Sequence, residues 1–248
     1  MRRRCSRPAD GSLGMLEYLA QTTILRVLCN TKSMTDTVAD EVDKNITIGV
    51  LALQGDVEQH MRLVNQCGVK AIAVRFPHEI DQIQGLIIPG GESTTVGKLM
   101  ARYGLDKKII ERAQAGMPIF GTCTGMILLA KSIVSSEQHR LGLMDMVVLR
   151  NAFGRQVESF EADIDVEPIG PPPVRAVFIR APYAVEVGGG ADILARYDDK
   201  SVLVRQNNLL ACAFHPELTE DTRIHQYFTN MVREWASASQ QPSEKPRR

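Results

Sequence analysis

Met117-Pro-Ile-Phe-Gly-Thr-Cys-Thr-Gly-Met-Ile-Leu-Leu-Ala130 runs from a short apolar strand into an apolar helical stretch across a Gly-x-Cys-x-Gly core, Gly121 to Gly125. Two glycines around one reactive side chain suit a turn too tight to hold flanking Cβ atoms. The same strand, turn and helix carry the serine of a Gly-x-Ser-x-Gly elbow, here with sulfur in place of oxygen. Cys123 would stand near a helix N-terminus, where the dipole and free N–H groups favour a thiolate. The N–H of Thr124 would help to hold an oxyanion. The plain alternative is a buried structural cysteine; strand, paired glycines and helix together favour a nucleophile.

Outward from this turn, short apolar runs alternate with amphipathic ones. Ile46 to Leu53, Ala71 to Arg75, Gly85 to Pro89 and Met117 to Phe120 have strand character. Asp56 to Cys67, Thr94 to Tyr103, Lys107 to Ala115 and Gly125 to Lys131 have helical spacing, with Gly68 and Gly116 as stops. This alternation predicts an α/β fold in a single domain, with a mostly parallel central sheet flanked by helices. Beyond Met144 strands dominate: Met146 to Arg150, Ala162 to Val166, Ala176 to Ile179, Ser201 to Gln206 and Leu209 to Phe214. A last helix is expected from Asp221 to Trp235. Reactive groups in open α/β sheets gather beyond the carboxyl ends of strands.

One such end is Leu210-Ala-Cys-Ala-Phe-His215-Pro-Glu217. Positions two apart in extended chain face one side, so Glu217 can reach the His215 imidazole from behind and fix its tautomer. The other ring nitrogen is left for a thiol. A surface His beside a carboxylate is the bland alternative; with the cysteine elbow on the same sheet, a Cys123-His215-Glu217 triad is the better reading. His60, His78, His139 and His225 lack such a setting and read as surface or helix-face residues. A second strand ends in Pro89-Gly-Gly-Glu-Ser-Thr-Thr95. A phosphate loop needs four residues between its glycines and Ser or Thr after the lysine. Five residues separate Gly91 from Gly97, and Lys98 is followed by Leu99, so both requirements fail. The glycines serve instead as a backbone platform, with Gly91 N–H and Thr124 N–H as two donors to a developing negative charge.

Composition narrows the class. The 248 residues carry 29 basic and 29 acidic side chains, which removes the electrostatic footprint of a nucleic-acid binder. Apolar residues make up 44%, ordinary for a globular chain, and no apolar stretch is long enough to span a bilayer. The five cysteines are scattered without a C-x-x-C pair, which argues against a disulfide framework or zinc site and for a reducing, cytoplasmic compartment. No metal or cofactor is expected. Residues 1–45 differ from the rest, with six basic residues against two acidic ones up to Met34. They read as an extension without firm structure or partly helical, with an organellar transit peptide and a start at Met34 as alternatives. Residues 46–236 form the expected domain, and 237–248, rich in Ser, Gln, Pro and Lys, a disordered tail.

Gly121-Thr-Cys-Thr-Gly125 with His215-Pro-Glu217 resembles the signature of class I (triad) glutamine amidotransferases, which have a flavodoxin-like fold. Leu53-Gln-Gly55, Pro89 to Thr95, Arg150-Asn-Ala-Phe-Gly-Arg-Gln156, Ser159-Phe-Glu-Ala162, Phe178-Ile-Arg-Ala-Pro182 and Phe214 to Glu220 resemble, within that class, the glutaminase subunits of pyridoxal 5′-phosphate synthase. The resemblance spans about residues 46 to 236. It implies hydrolysis of L-glutamine through a γ-glutamyl thioester on Cys123, and Gly91, Glu92, Ser93, Arg150, Ile179 and Arg180 around the substrate. It also implies a hetero-oligomer with a synthase subunit that takes the ammonia and builds pyridoxal 5′-phosphate from ribose 5-phosphate and glyceraldehyde 3-phosphate. Pyridoxal phosphate is then a product, not a cofactor. Gln54 falls where that partner would switch the site on, or is a simple turn residue. Thr124 departs from the alanine common in the family, but only its N–H is required. A γ-glutamyl or other cysteine hydrolase on the same scaffold, or a docking subunit without chemistry, are the competing readings.

Overall fold

A computed structural model describes residues 46–153 and 159–240. The first half alternates as expected: β1 (Thr47–Leu51), α1 (Val57–Gln66), β2 (Lys70–Val74), a 3-10 turn (Pro77–Gln82), β3 (Gly85–Ile88), α2 (Ser93–Tyr103), α3 (Leu105–Gln114), β4 (Ile119–Thr122) and α4 (Thr124–Leu129). The second half is rich in strands: β5 (Ala130–Ile133), β6 (Met144–Leu149), β7 (Ser159–Ile164), β8 (Val174–Ile179), β9 (Tyr183–Val187), β10 (Asp192–Tyr197), β11 (Lys200–Gln206) and β12 (Leu209–Cys212). A 3-10 turn (Pro216–Leu218) and α5 (Arg223–Gln240) follow. The expectations for residues 1–45 and 241–248, and for Gly154, Arg155 and Gln156, lie outside the described residues.

Ten strands make one sheet in the order β2-β1-β3-β4-β12-β11-β9-β6-β5, with β10 paired to β11. β2, β1, β3, β4 and β12 run parallel. β11 and β9 then turn antiparallel, and β5 pairs parallel with β6 at the far edge. β3 and β4 are buried along their whole length, as the continuous Leu, Ile and Phe runs of strands covered on both faces require. Helices close both faces. Phe228 of α5 packs on Phe120 of β4 with ring centroids 5.5 Å apart, and Val232 occupies the space a side chain at Gly85 would need. α2 is started by the Glu92 carboxylate, which accepts from the N–H groups of Thr94 and Thr95 at 3.0 and 2.7 Å, and is stopped by Gly104 in the left-handed conformation.

Four expectations need correction. The helix after Cys123 ends at Leu129, and Ala130 to Ile133 is a strand; an apolar run this short does not distinguish helix from strand. β9 and β10 were not expected at all. β7 and β8 leave the main sheet and form a two-stranded ribbon of their own. Finally, α5 begins at Arg223 and continues through Gln240, past Trp235, so the first four residues of the expected disordered tail, 237–240, are helical. Among the described residues no helix is long and apolar enough to cross a membrane.

Candidate active site

β12 and β4 are neighbours in parallel register, with Cys212 beside Thr122. The residue after β4 is Cys123, and three residues beyond β12 comes His215, so two positions far apart in sequence leave the sheet at one rim. The Cys123 N–H donates to Cys212 O at 2.8 Å, carrying the ladder one step past the strands. The chain then breaks direction at Cys123, whose φ of 48° and ψ of −98° are strained for a non-glycine residue. The flanking glycines are required by contact. A Cβ on Gly121 would come within 2.5 Å of the Gly125 backbone, and one on Gly125 within 2.3 Å of Ile88 O.

His215 and Glu217 are 6% and 1% exposed. The His215 Nδ1 stands 2.7 Å from Glu217 Oε1, and the ring and Cys123 line the same cleft. Burial disfavours charge on the imidazole, but the Cys123 and Glu217 side chains and their negative charge prevail and raise its pKa to about 10. The His215 backbone N–H donates to Val177 O of β8 at 2.8 Å, and Cys123 Sγ lies 3.9 Å from Ile179 O at the end of the same strand. The β7–β8 ribbon thus roofs the pair. Phe160 and Phe178 stack on it with centroids 4.7 Å apart, and Phe214 meets Phe178 edge-on.

Every residue expected at the site except Glu217 lines one cleft of about 400 Å³. Glu217 sits beneath it, behind His215. Gly90 and Gly91 follow β3, the strand beside β4. The Gly91–Glu92 peptide is gripped from both sides: the Thr124 hydroxyl donates to Gly91 O, and Glu92 N–H donates to Gln54 Oε1 at 3.1 Å. Thr124 therefore contributes a side chain where only its N–H was expected to matter. The Glu92 carboxylate is spent on capping α2; the side-chain hydrogen bond with Thr95, joined by the capping amides and outweighing some desolvation, lowers its pKa to about 2. Arg150, just past β6, faces the Ser93 and Thr94 hydroxyls at 3.3 and 3.4 Å and is held by Gln138 Oε1. Arg180 and Asn151 also have positive φ, at 42° and 49°, so backbone strain gathers around the cleft.

Residues the sequence did not reveal complete the wall: Asp56, Ile127 and Asn151. Asp56, His215 and Glu217 present ligand-type atoms within 4.8 Å of one another, but the His215–Glu217 hydrogen bond engages two members of that group. His60 and His225, expected at the surface or on a helix face, are fully buried. The His60 Nε2 lies 3.3 Å from Glu217 Oε2. A signal for both was present. His60, Leu63, Val64 and Cys67 recur at the spacing of a buried helical face, as do His225, Phe228, Thr229 and Val232.

The sequence profile of the SNO glutamine amidotransferase family matches residues 50–234. The chain belongs to that family. Its relatives include the pyridoxal 5′-phosphate synthase subunit PdxT of Pelotomaculum thermopropionicum, 56% identical over 181 residues, which are 73% of this chain and 92% of the relative. The subunit of the same name from Thermotoga maritima is 50% identical over 186 residues, 75% of this chain and 99% of the relative. A solved structure described as a glutamine amidotransferase superposes with a TM-score of 0.72 at 50% identity, covering 75% of this chain and 98% of its own. The structure of PurLQS from Thermotoga maritima shares the fold at a TM-score of 0.56 and 18% identity, over 79% of this chain and 100% of its own.

Proposed function

We propose that this chain is a cytoplasmic glutaminase subunit of pyridoxal 5′-phosphate synthase, releasing ammonia from L-glutamine for a synthase subunit. The observation that carries the chemistry is the pairing of Cys123 with His215 at one sheet rim, with Glu217 hydrogen-bonded behind the ring. The Cys123 thiolate attacks the carboxamide carbon of glutamine. The N–H groups of Gly91 and Thr124 receive the negative charge that develops on oxygen. His215 gives its proton to the departing nitrogen, the C–N bond breaks, and ammonia leaves a γ-glutamyl thioester on sulfur. Water then loses a proton to His215 and attacks the thioester; the C–S bond breaks and glutamate departs. Glu217 keeps the imidazole oriented in both halves.

Arg150 offers a forked donor to the α-carboxylate of glutamine, and Glu92, Ser93, Ile179 and Arg180 supply the remaining wall. Gln54, bonded to the Gly91–Glu92 peptide, is the candidate through which the partner acts on the platform. The family relationship supports the substrate and the partner. The test is glutamate release by the full chain with and without the synthase subunit. Wild-type activity should rise sharply with the partner, and Cys123→Ala should release none; turnover by Cys123→Ala at the wild-type rate refutes the reading.

A further inference from the structure

Behind the proposed triad lies a second line of buried polar groups. His60 comes from α1, His225 from α5, and neither is exposed. Each sits on an apolar helix face, where an imidazole needs partners for its ring nitrogens. The His60 Nδ1 is 2.9 Å from His225 Nε2. On the opposite side of the His60 ring, Nε2 is 3.3 Å from Glu217 Oε2 and 3.3 Å from Thr122 Oγ1. Glu217 Oε2 is buried and has no aligned hydrogen bond among the described residues, so the approach of His60 Nε2 at 3.3 Å is what stands against it. His225 Nδ1 is also buried without a partner.

These contacts assign the protons. Burial, the largest cause, lowers the His225 pKa to about 3, so its ring is neutral and has one N–H. A proton on Nδ1 would be buried with no acceptor, so it resides on Nε2 and is donated to His60 Nδ1. His60 Nδ1 is then an acceptor, and its own proton is on Nε2, facing the Glu217 carboxylate. Glu217 has a ring nitrogen on each side, His215 hydrogen-bonded to Oε1 and His60 Nε2 3.3 Å from Oε2. Burial works against its charge, and the two rings overcome this and hold its carboxyl well below the usual carboxylate range.

We propose that His60 is a positioning residue of the glutaminase, donating Nε2–H to Glu217 Oε2 and so fixing the carboxylate that orients His215, while His225 fixes the tautomer of His60. This rests on the triad reading above. His60 touches neither substrate nor sulfur. Without it, one oxygen of a buried carboxylate has no donor, and the carboxylate is free to turn or to take up a proton.

The test uses the full chain with its synthase partner. His60→Leu removes the donor, and His60→Gln keeps an N–H at the position of Nε2. We expect kcat to fall by about 10-fold to 100-fold in His60→Leu with KM within about twofold, since orientation and not binding is lost. The low-pH limb of kcat/KM should move up, because Glu217 now protonates more easily. His60→Gln should recover most of kcat and the original limb. Wild-type kcat and pH profile in His60→Leu overturn the proposal, and so does an equal loss in both variants with no movement of the limb, which marks simple packing. If His60→Leu does not fold, imidazole ¹⁵N spectra of the wild-type protein decide: protonation of His60 at Nε2 alone is expected, and protonation at Nδ1 alone overturns the assignment. Cys123→Ser assayed in parallel separates the two levels. Full turnover there removes the triad and His60 together; an inactive Cys123→Ser beside an unaltered His60→Leu removes only the role of His60.

Discussion

Gly90→Ala should disable the site by moving His215. Gly90 has an ordinary backbone conformation, so strain is not the issue; space is. An added Cβ would stand 2.3 Å from His215 Cε1, 3.1 Å from Nδ1 and 3.3 Å from Nε2. Ordinary contact begins near 3.4 Å, so the ring must retreat by 3.4 − 2.3, or 1.1 Å. It has little freedom to do so. Nδ1 is tied to Glu217 at 2.7 Å, and the residue's N–H is tied to Val177 O at 2.8 Å. Displacement by 1.1 Å along the first bond stretches it to 3.8 Å, beyond hydrogen bonding. Gly90 cannot move away instead, because its carbonyl is packed against Gly55. A misplacement of about 1 Å in a catalytic group costs on the order of 10²-fold in rate. Steady-state glutamate release should show kcat lower by about that factor, with a thermal melt confirming the fold. Gly189→Ala, where an added Cβ meets nothing within 4 Å, is the matched control and should be silent. Wild-type kcat in Gly90→Ala would refute the placement of His215 against this loop.

Arg150→Lys keeps the charge but loses the fork, so KM for glutamine should rise about tenfold while kcat changes little; a change confined to kcat would contradict the assignment. NMR titration should find His215 cationic through neutral pH, with its midpoint near 10 rather than 6.5. Because the folded value lies above the unfolded one, the stability this charge contributes is complete below about pH 6.5 and is lost as pH rises through about 10. Denaturant midpoints of wild type and His215→Gln should therefore converge as the solution becomes alkaline. Phe228→Ala removes a fully buried ring that seats α5 on β4 and should cost about 3–5 kcal/mol by urea unfolding.

The reactive turn was legible because it is local. Gly121, Cys123 and Gly125 record a steric demand within five residues, and His215-Pro-Glu217 records a contact between near neighbours in the chain. Strands β1, β3 and β4 were legible because burial on both faces leaves continuous apolar runs. The ribbon β7–β8 was not assigned to a separate sheet, since pairing partners are set by tertiary context and alternation along Ser159–Ile164 is the same in either sheet. His60 and His225 were misjudged by residue type, although the spacing of their neighbours placed both on buried faces. The grip of Gln138 on Arg150 joins segments whose proximity depends on the strand order, and nothing in either segment announces it.

β12 lies between β4 and β11, in the middle of the sheet, yet among the described residues it is the last strand in chain order. Synthesis proceeds from the other end. A nascent chain that has emerged through β11 already has its sulfur turn, but the gap beside that turn is vacant and the imidazole has not been made. Neither hydrolysis nor free ammonia can begin before the C-terminal segment threads into place. Recovery of glutaminase activity after dilution from denaturant is accordingly a clock for insertion of one central strand, and truncation anywhere before His215 leaves a thiol with no base to serve it.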